Sequence, residues 1–377
     1  MPPKLAAMAY SLSREAFQQE LHGQRTDLFT LRGAGGLQVA VSNYGARLVQ
    51  VAVPDGQGGL ADVALGYDSL QGYLDGQLSM GALIGRWAGR LRAGKLTLPD
   101  GSLLQLPTNS GPHHHHGGPR GSRFQVFAVE EVRADALTLG HTFRTEDDGV
   151  PGTVRLQLRL QVTADNALHM AWTAEALYAP TVLNLTGHAF FNLAGRGSTH
   201  GHTLQVPASR YVPLAADVCP TGALAAVQGT PFDFREARHV GDAVAAPSEQ
   251  LAQAGGLDHY LVLDEPDASR APPVSSITPS GLRLAALLSE PVSRRAMEVW
   301  STAPGVQVYA GHGLKADPAR DRGRGAQQGN WLWQPGDGIC LEPMEYPDAP
   351  NHAAFPMRWL APGEVVRGAI VYRFRGL

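Results

Sequence analysis

Cysteine is almost absent from this 377-residue chain: there are two, Cys219 and Cys340, far apart and without metal-binding spacing. A disulfide-stapled secreted scaffold is therefore excluded, and a reducing compartment is expected. Charge of one sign is missing too. Thirty-one basic and 34 acidic residues leave a formal net charge of −3, so no cationic footprint points to nucleic acid or an anionic membrane. No apolar run approaches the roughly 18 residues of a membrane helix. Met1–Glu20 lacks the continuous apolar stretch of a secretory leader. No glycine-rich strand-to-helix turn offers a phosphate cradle. The expectation is a soluble, cytoplasmic protein, monomeric or homodimeric, with neither nucleic acid nor membrane as partner.

What the chain does have is punctuation. Forty-four glycines and 27 prolines recur at short intervals, with alternating, β-branched segments between them, the pattern of many strands and turns. The clearest strand is 153–163. Val154, Leu156, Leu158, Leu160 and Val162 share one face, and Arg155, Gln157, Arg159 and Gln161 share the other. A solvated face of period two argues for an antiparallel sheet. Weaker runs follow at 37–53, 136–144, 168–176, 202–208, 259–263, 282–289, 306–310 and 365–374. Helical spacing is confined to 13–20, 69–75 and 240–254. The charged, glycine- and glutamine-rich stretch 314–330 reads as a surface loop, and the proline-rich 264–280 as an exposed connection. These features predict an all-β fold, a large antiparallel sandwich with a few short helices. A tail over 1–22 would precede one domain over 23–377.

The organising stretch is Gly338-Ile-Cys-Leu-Glu-Pro-Met-Glu-Tyr-Pro-Asp-Ala-Pro-Asn351. Ile339–Leu341 read as a buried strand, Glu342 ends the apolar run, and two prolines are expected to stop the ladder. A carboxylate in that position is either a partnered structural charge or a functional group with a shifted pKa. Several groups are candidates to meet it. His116 closes a run of four histidines before two glycines, where unusual backbone angles are permitted. Neighbouring histidines in an extended chain face opposite ways, so one metal ion shared along the run is disfavoured. His188, between an apolar segment and two phenylalanines, is suited to proton transfer, but equally to a core position bonded to a carbonyl. Asp258 is placed to accept bonds from a polyol or to cap a turn. Arg86 and Arg90 flank a tryptophan, and Gln307 and Tyr309 share one strand face. Cys340 reads as a small hydrophobe rather than a nucleophile.

Together and in this order, these stretches resemble the aldose 1-epimerases. The resemblance is carried by Asn43-Tyr-Gly-Ala46, Asp62-Val-Ala-Leu-Gly-Tyr-Asp68, Gly85-Arg-Trp-Ala-Gly-Arg90 and His116-Gly-Gly118. It continues through Asn184-Leu-Thr-Gly-His188, Phe191-Asn-Leu193, Asp258-His259, Pro304-Gly-Val-Gln-Val-Tyr309, Glu342-Pro343 and Pro347-Asp-Ala-Pro-Asn351. It implies a galactose-mutarotase-like supersandwich that interconverts the anomers of a free aldose without metal or cofactor. By the same resemblance Glu342 is the general base at the C1 hydroxyl and His188, on the opposite side, the acid at the ring oxygen. His116 is a second active-site histidine, and Arg90, Asp258 and Gln307 contact the sugar. Three positions depart from the family pattern: Gly89 and Gly187, where asparagine is common, and Met344, where glutamine is. A thinner hydroxyl-reading shell, with altered or relaxed sugar choice, is the expectation. A non-catalytic protein binding sugar in the same cleft is the alternative from another class, and a metal enzyme built on His113–His116 a third.

Overall fold

The computed structural model describes residues 11–54, 59–77, 79–267, 269–315, 317 and 332–376. Apart from Leu314, Lys315 and Asp317, the expected 314–330 loop lies outside these residues, as do residues 1–10 of the expected tail.

An antiparallel sheet of nine strands carries much of the mass. It runs from Ala128–Val132 through Ala136–Phe143, Thr153–Val162 and Ala167–Leu177 to the chain's last strand, Val365–Gly376. Arg295–Ser301, Arg283–Glu290, Thr203–Gln205 and Arg238–His239 complete it. The period-two alternation read at 153–163 is realised: Val154, Leu156, Leu158, Leu160 and Val162 are buried, while Arg155, Gln157 and Arg159 are exposed. The final strand sits in the middle of the sheet, so the sheet closes only when the C-terminus is in place. Gly368 lies opposite Trp172, and a Cβ there would come 2.4 Å from the indole ring.

A second antiparallel sheet, of six strands, has the order Phe190–Phe191, Ile339–Met344, Gly305–Tyr309, Asp258–Val262, Arg210–Tyr211, Ala225–Ala226. A third contains Leu28–Arg32, Gln38–Ser42, Arg47–Pro54 and Leu60–Asp62. One apolar cluster joins all three: Leu158 and Met170 from the first, Val308 and Leu341 from the second, Val39 and Val51 from the third. The architecture is an antiparallel β-sandwich, as the alternation required.

Several boundaries differ from the sequence reading. The 37–53 run is two strands, because Gly45 and Ala46 take positive φ and turn the chain between them. The 240–254 segment forms two helices, Val240–Val244 and Glu249–Ala254, with Pro247 between them and Ser248 capping the second. The 13–20 segment makes only a single 3₁₀ turn, Glu15–Phe17, whose Phe17 is buried. The strand holding Glu342 does not stop at Pro343, which pairs with Val306. On the strand's other side, Phe190–Phe191 reaches only Ile339 and Cys340. A donor missing toward that edge therefore breaks no ladder bond.

Candidate active site

Strand alternation decides which side chains leave the core. In Ile339–Met344, Ile339 and Leu341 point into the shared core, so Cys340, Glu342 and Met344 face the other way. Val306 and Val308 do the same in their strand, turning out Gln307 and Tyr309. Leu261 is inward and Asp258 and Tyr260 outward. The register places Gln307 directly opposite Glu342 and Asp258 opposite Tyr309. All of these outward residues except Cys340, which is buried in an apolar cluster, line a cleft of about 440 Å³, within the roughly 300–1,000 Å³ range of small-molecule sites. All six residues singled out in the sequence, Arg90, His116, His188, Asp258, Gln307 and Glu342, line it.

His188 is set beside the floor by backbone bonds on both sides: its N–H donates to Ala82 O, and its carbonyl accepts from Gly81 N, each at 2.9 Å. Its Nε2 lies 3.6 Å from Glu342 Oε1. The two groups are neighbours, not opposed across a sugar-wide gap as the sequence reading had it. On the other side of the ring, Nδ1 is 3.5 Å from Cys340 Sγ.

His116 arrives from the histidine run through a backbone that only special residues allow. Its own φ is +52°, and Gly117 and Gly118 follow at +77° and +75°. A Cβ on Gly117 would fall 1.9 Å from Gly85 O, and one on Gly118 would fall 2.6 Å from the His114 ring. Gly89 grips His116 twice, its carbonyl accepting from His116 N at 3.1 Å and its N–H donating to His116 Nδ1 at 3.2 Å. Because Nδ1 accepts, the neutral ring carries its proton on Nε2. The run thus diverges. His113 contacts Cys219 Sγ at 3.3 Å, His114 bonds Pro107 O at 2.8 Å, and His115 lines the cleft. The turn at His116 brings its ring onto that of His115, 3.8 Å between centroids, although sequence neighbours ordinarily face apart.

The two arginines have different roles. Arg86 is fully buried and paired with Asp148 at 2.9 Å, with further bonds to Pro151 O, Gly152 O and Thr181 Oγ1. Arg90 opens on the cleft, and its Nε has no hydrogen-bond partner among the described residues. Gln307 Nε2 donates to Asp258 Oδ1 at 2.7 Å. Asn184 braces the site from behind, donating to Ala88 O and accepting from Glu345 N. His259 points away from the cleft and packs against Phe232.

Burial sets the electrostatics. Glu342 is 2 % exposed, and its Oε2 has no partner among the described residues. Desolvation pushes its pKa well above the carboxylate range, Asp258 adds to the rise, and Arg90 opposes it. The same burial lowers His188 to about 4. His116 is held well below the usual imidazole value by burial and by its neighbours His115 and His188. One cluster therefore combines a strengthened base, a strengthened acid and a neutral N–H donor.

The donor atoms of Glu342, His188 and His116 lie within 4.8 Å of one another, close enough to share an ion as well as a proton. His113, Asp217 and Cys219 form a second such group outside the floor. The sequence reading missed His115 and His312 as lining residues, whereas Tyr309, expected on one strand face with Gln307, does line the cleft. His115 enters only through its pairing with Arg90. Of the three departures from the family pattern, Gly89 and Met344 line the cleft. Gly187 does not, since it faces the Tyr372 hydroxyl, 3.1 Å from where a Cβ would stand.

A profile of the aldose 1-epimerase family matches residues 27–373. The galactose mutarotase of Bos taurus is 33 % identical over 331 residues, 87 % of this chain and 88 % of the relative. The aldose 1-epimerase of Escherichia coli K12 is 30 % identical, covering 93 % and 96 %. Among solved structures, an aldose epimerase homologue from C. elegans superposes with a TM-score of 0.81 at 26 % identity, covering 93 % and 99 %. A galactose 1-epimerase from Lactobacillus acidophilus gives 0.78 at 27 %, covering 95 % and 97 %.

Proposed function

The chain belongs to the aldose 1-epimerase family, and from that premise we propose that it interconverts the α and β anomers of a free aldose with Glu342 as base and His188 as acid. One observation carries the assignment: a buried carboxylate, one oxygen without a partner among the described residues, sits 3.6 Å from an imidazole nitrogen at the floor of a sugar-sized cleft. A buried polar atom left unpaired is costly unless a ligand or a reaction uses it.

The chemistry follows from that spacing. In a cyclic aldose the C1 hydroxyl and the ring oxygen are both bonded to C1, so neighbouring groups on the protein suit them better than opposed ones. Glu342 takes the proton of the C1 hydroxyl. The electron pair of that O–H bond becomes the C1 carbonyl, the bond between C1 and the ring oxygen breaks, and His188 protonates the departing oxygen. The pair holds one proton before and after, moving from imidazolium and carboxylate to imidazole and carboxylic acid. Low dielectric favours the uncharged arrangement, so the imidazolium–carboxylate form that starts the reaction is the minor one of the resting pair, and reaching it is part of the barrier. Rotation about C1–C2 and the reverse transfers close the other anomer. His116 offers Nε2–H to the oxygen that gains charge, and Arg90, Asp258 and Gln307 hold the hydroxyls.

Pure sugar binding would need neither the strengthened base nor the depressed imidazole. On this reading residues 23–377 work as one domain behind a tail of 1–22, in the cytoplasm, as a monomer or homodimer, without cofactor. The small net charge supports the absence of nucleic-acid or membrane partners. Among the described residues, no helix is long and apolar enough to cross a membrane. The test is the polarimetric or NMR decay of fresh α-D-galactose and α-D-glucose, comparing wild type with Glu342→Gln and His188→Asn. Wild-type decay no faster than the spontaneous reaction on any aldose would sink the proposal.

A further inference from the structure

Three cross-strand rows make up the cleft side of the six-stranded sheet, and their chemistry changes from row to row. The first is Asp258, Tyr309 and Cys340, and the second is Tyr260, Gln307 and Glu342. The third is Val262, Gly305 and Met344, with no hydrogen-bonding side chain at all, and of the three Met344 lines the cleft. Tyr260 does not supply one, because its hydroxyl already donates to Met344 O at 3.0 Å. Its ring leans toward the third row over Gly305, where a Cβ would come 2.2 Å from Cζ. Gly89 stands next to Met344 and presents no side chain: even a Cβ there would be 3.8 Å from Met344 Sδ and 3.2 Å from Pro347 Cβ. Val212 and Leu214 continue the apolar wall.

This apolar patch lies at a definite distance from the chemistry. Alternate residues of a strand are about 6.6–6.8 Å apart, so Met344 is one pleat repeat from the carboxylate that meets C1. Substituents on C1 and on its neighbour C2 stay near Glu342. Of the groups that can reach Met344, those on C3, C4 and C5, only the C5 substituent can be a methyl group or a hydrogen while the ring hydroxyls are kept. A hydroxyl delivered there gives up water and finds no partner, whereas a methyl group or a hydrogen is buried without that cost.

We infer that the sugar lies with its C5 substituent against Met344, so that the cleft favours 6-deoxyhexoses and aldopentoses over the parent hexoses, and that Met344 sets the preference. The inference rests on the anomerisation reading above and adds the substrate class. It is tested by kcat/KM for sugar pairs differing at one end: D-galactose with 6-deoxy-D-galactose, and D-glucose with 6-deoxy-D-glucose and with D-xylose. In wild type the apolar member of each pair is expected to exceed its parent about 3–10-fold, the scale of one methyl-sized contact. Met344→Gln places an amide at the patch and brings each ratio below one, while Met344→Leu keeps it above one. Because each ratio is taken on one preparation, a partly unfolded variant does not distort it. Wild type favouring the parent hexoses, or Met344→Gln leaving the ratios unchanged, would overturn the inference. Absence of anomerisation with every sugar would instead remove the proposed function, and this inference with it.

Discussion

His188 Nε2 lies beside Glu342 Oε1, 3.6 Å away, on the same side of the cleft. Side-by-side placement makes the two groups a single proton-holding unit, and units of that kind respond to mutation non-additively. Glu342→Gln and His188→Asn should each lower kcat/KM by about 10²–10⁴-fold. The double variant should be little worse than the poorer single one, since either change already leaves the shared proton without a destination. Polarimetry on the three variants checks this. Losses that multiply would mean that the groups act separately.

The pH profile carries a second signature. Burial raises Glu342 well above its ordinary value and lowers His188 to about 4, so the pair titrates in two joint steps. As pH falls through about 4, a second proton occupies the pair and no base remains. As pH rises past the elevated Glu342 value, the last proton leaves and no acid remains. After subtraction of the spontaneous reaction, kcat/KM should be flat between these limits and fall on both sides. An acid limb near 6.5, the value of an unperturbed histidine, would contradict the assignment.

Arg86 and Arg90, four residues apart in one motif, should fail in different ways. Arg86 and Asp148 form a buried pair with almost no side-chain exposure. Removing one partner strands the other charge at a cost of about 3–5 kcal/mol. Arg86→Ala should therefore shift the urea midpoint strongly, and any activity loss should track unfolding. Arg90→Ala leaves no buried partner stranded, so it should unfold close to wild type while kcat/KM falls. Equal melting curves for the two variants would erase the distinction.

That contrast also shows how far the sequence could be read. Alternation at 153–163 gave the sheet because period two is local. The outward direction of Glu342 follows from the same rule applied to Ile339 and Leu341. The motif Gly85-Arg-Trp-Ala-Gly-Arg90 presented two equivalent arginines, because Asp148, which pairs with Arg86, comes from a distant one-turn helix, Thr145–Asp148, with no local mark. The relation of His188 to Glu342 was likewise readable as proximity but not as geometry. Whether two groups flank a sugar or sit together below it depends on long-range pairing such as that of Thr186–Gly187 with Leu83–Ile84, just before His188, and no spacing in the chain encodes that. The continuation of the strand through Pro343 was hidden for a similar reason: proline ends a ladder only where a neighbour waits for its missing N–H.

Gln307 separates binding from chemistry. It stands opposite Glu342 in the ladder, yet its amide is committed to Asp258 Oδ1 at 2.7 Å, which on the proposed reading orients that carboxylate for the hydroxyls of a bound sugar. Gln307→Ala removes the donor and lets Asp258 turn, but touches neither proton-transfer group. A lost hydrogen bond to a charged group is worth about 1.5–3 kcal/mol, so KM should rise by roughly 10–100-fold, at about 1.4 kcal/mol per tenfold change. The kcat value should change far less, because the interaction is made equally by the ring-closed sugar and the transition state. Progress curves over a wide sugar range, run on wild type and Gln307→Ala, separate the two constants. A fall in kcat matching that of His188→Asn, at unchanged KM, would instead place Gln307 in the proton-transfer step.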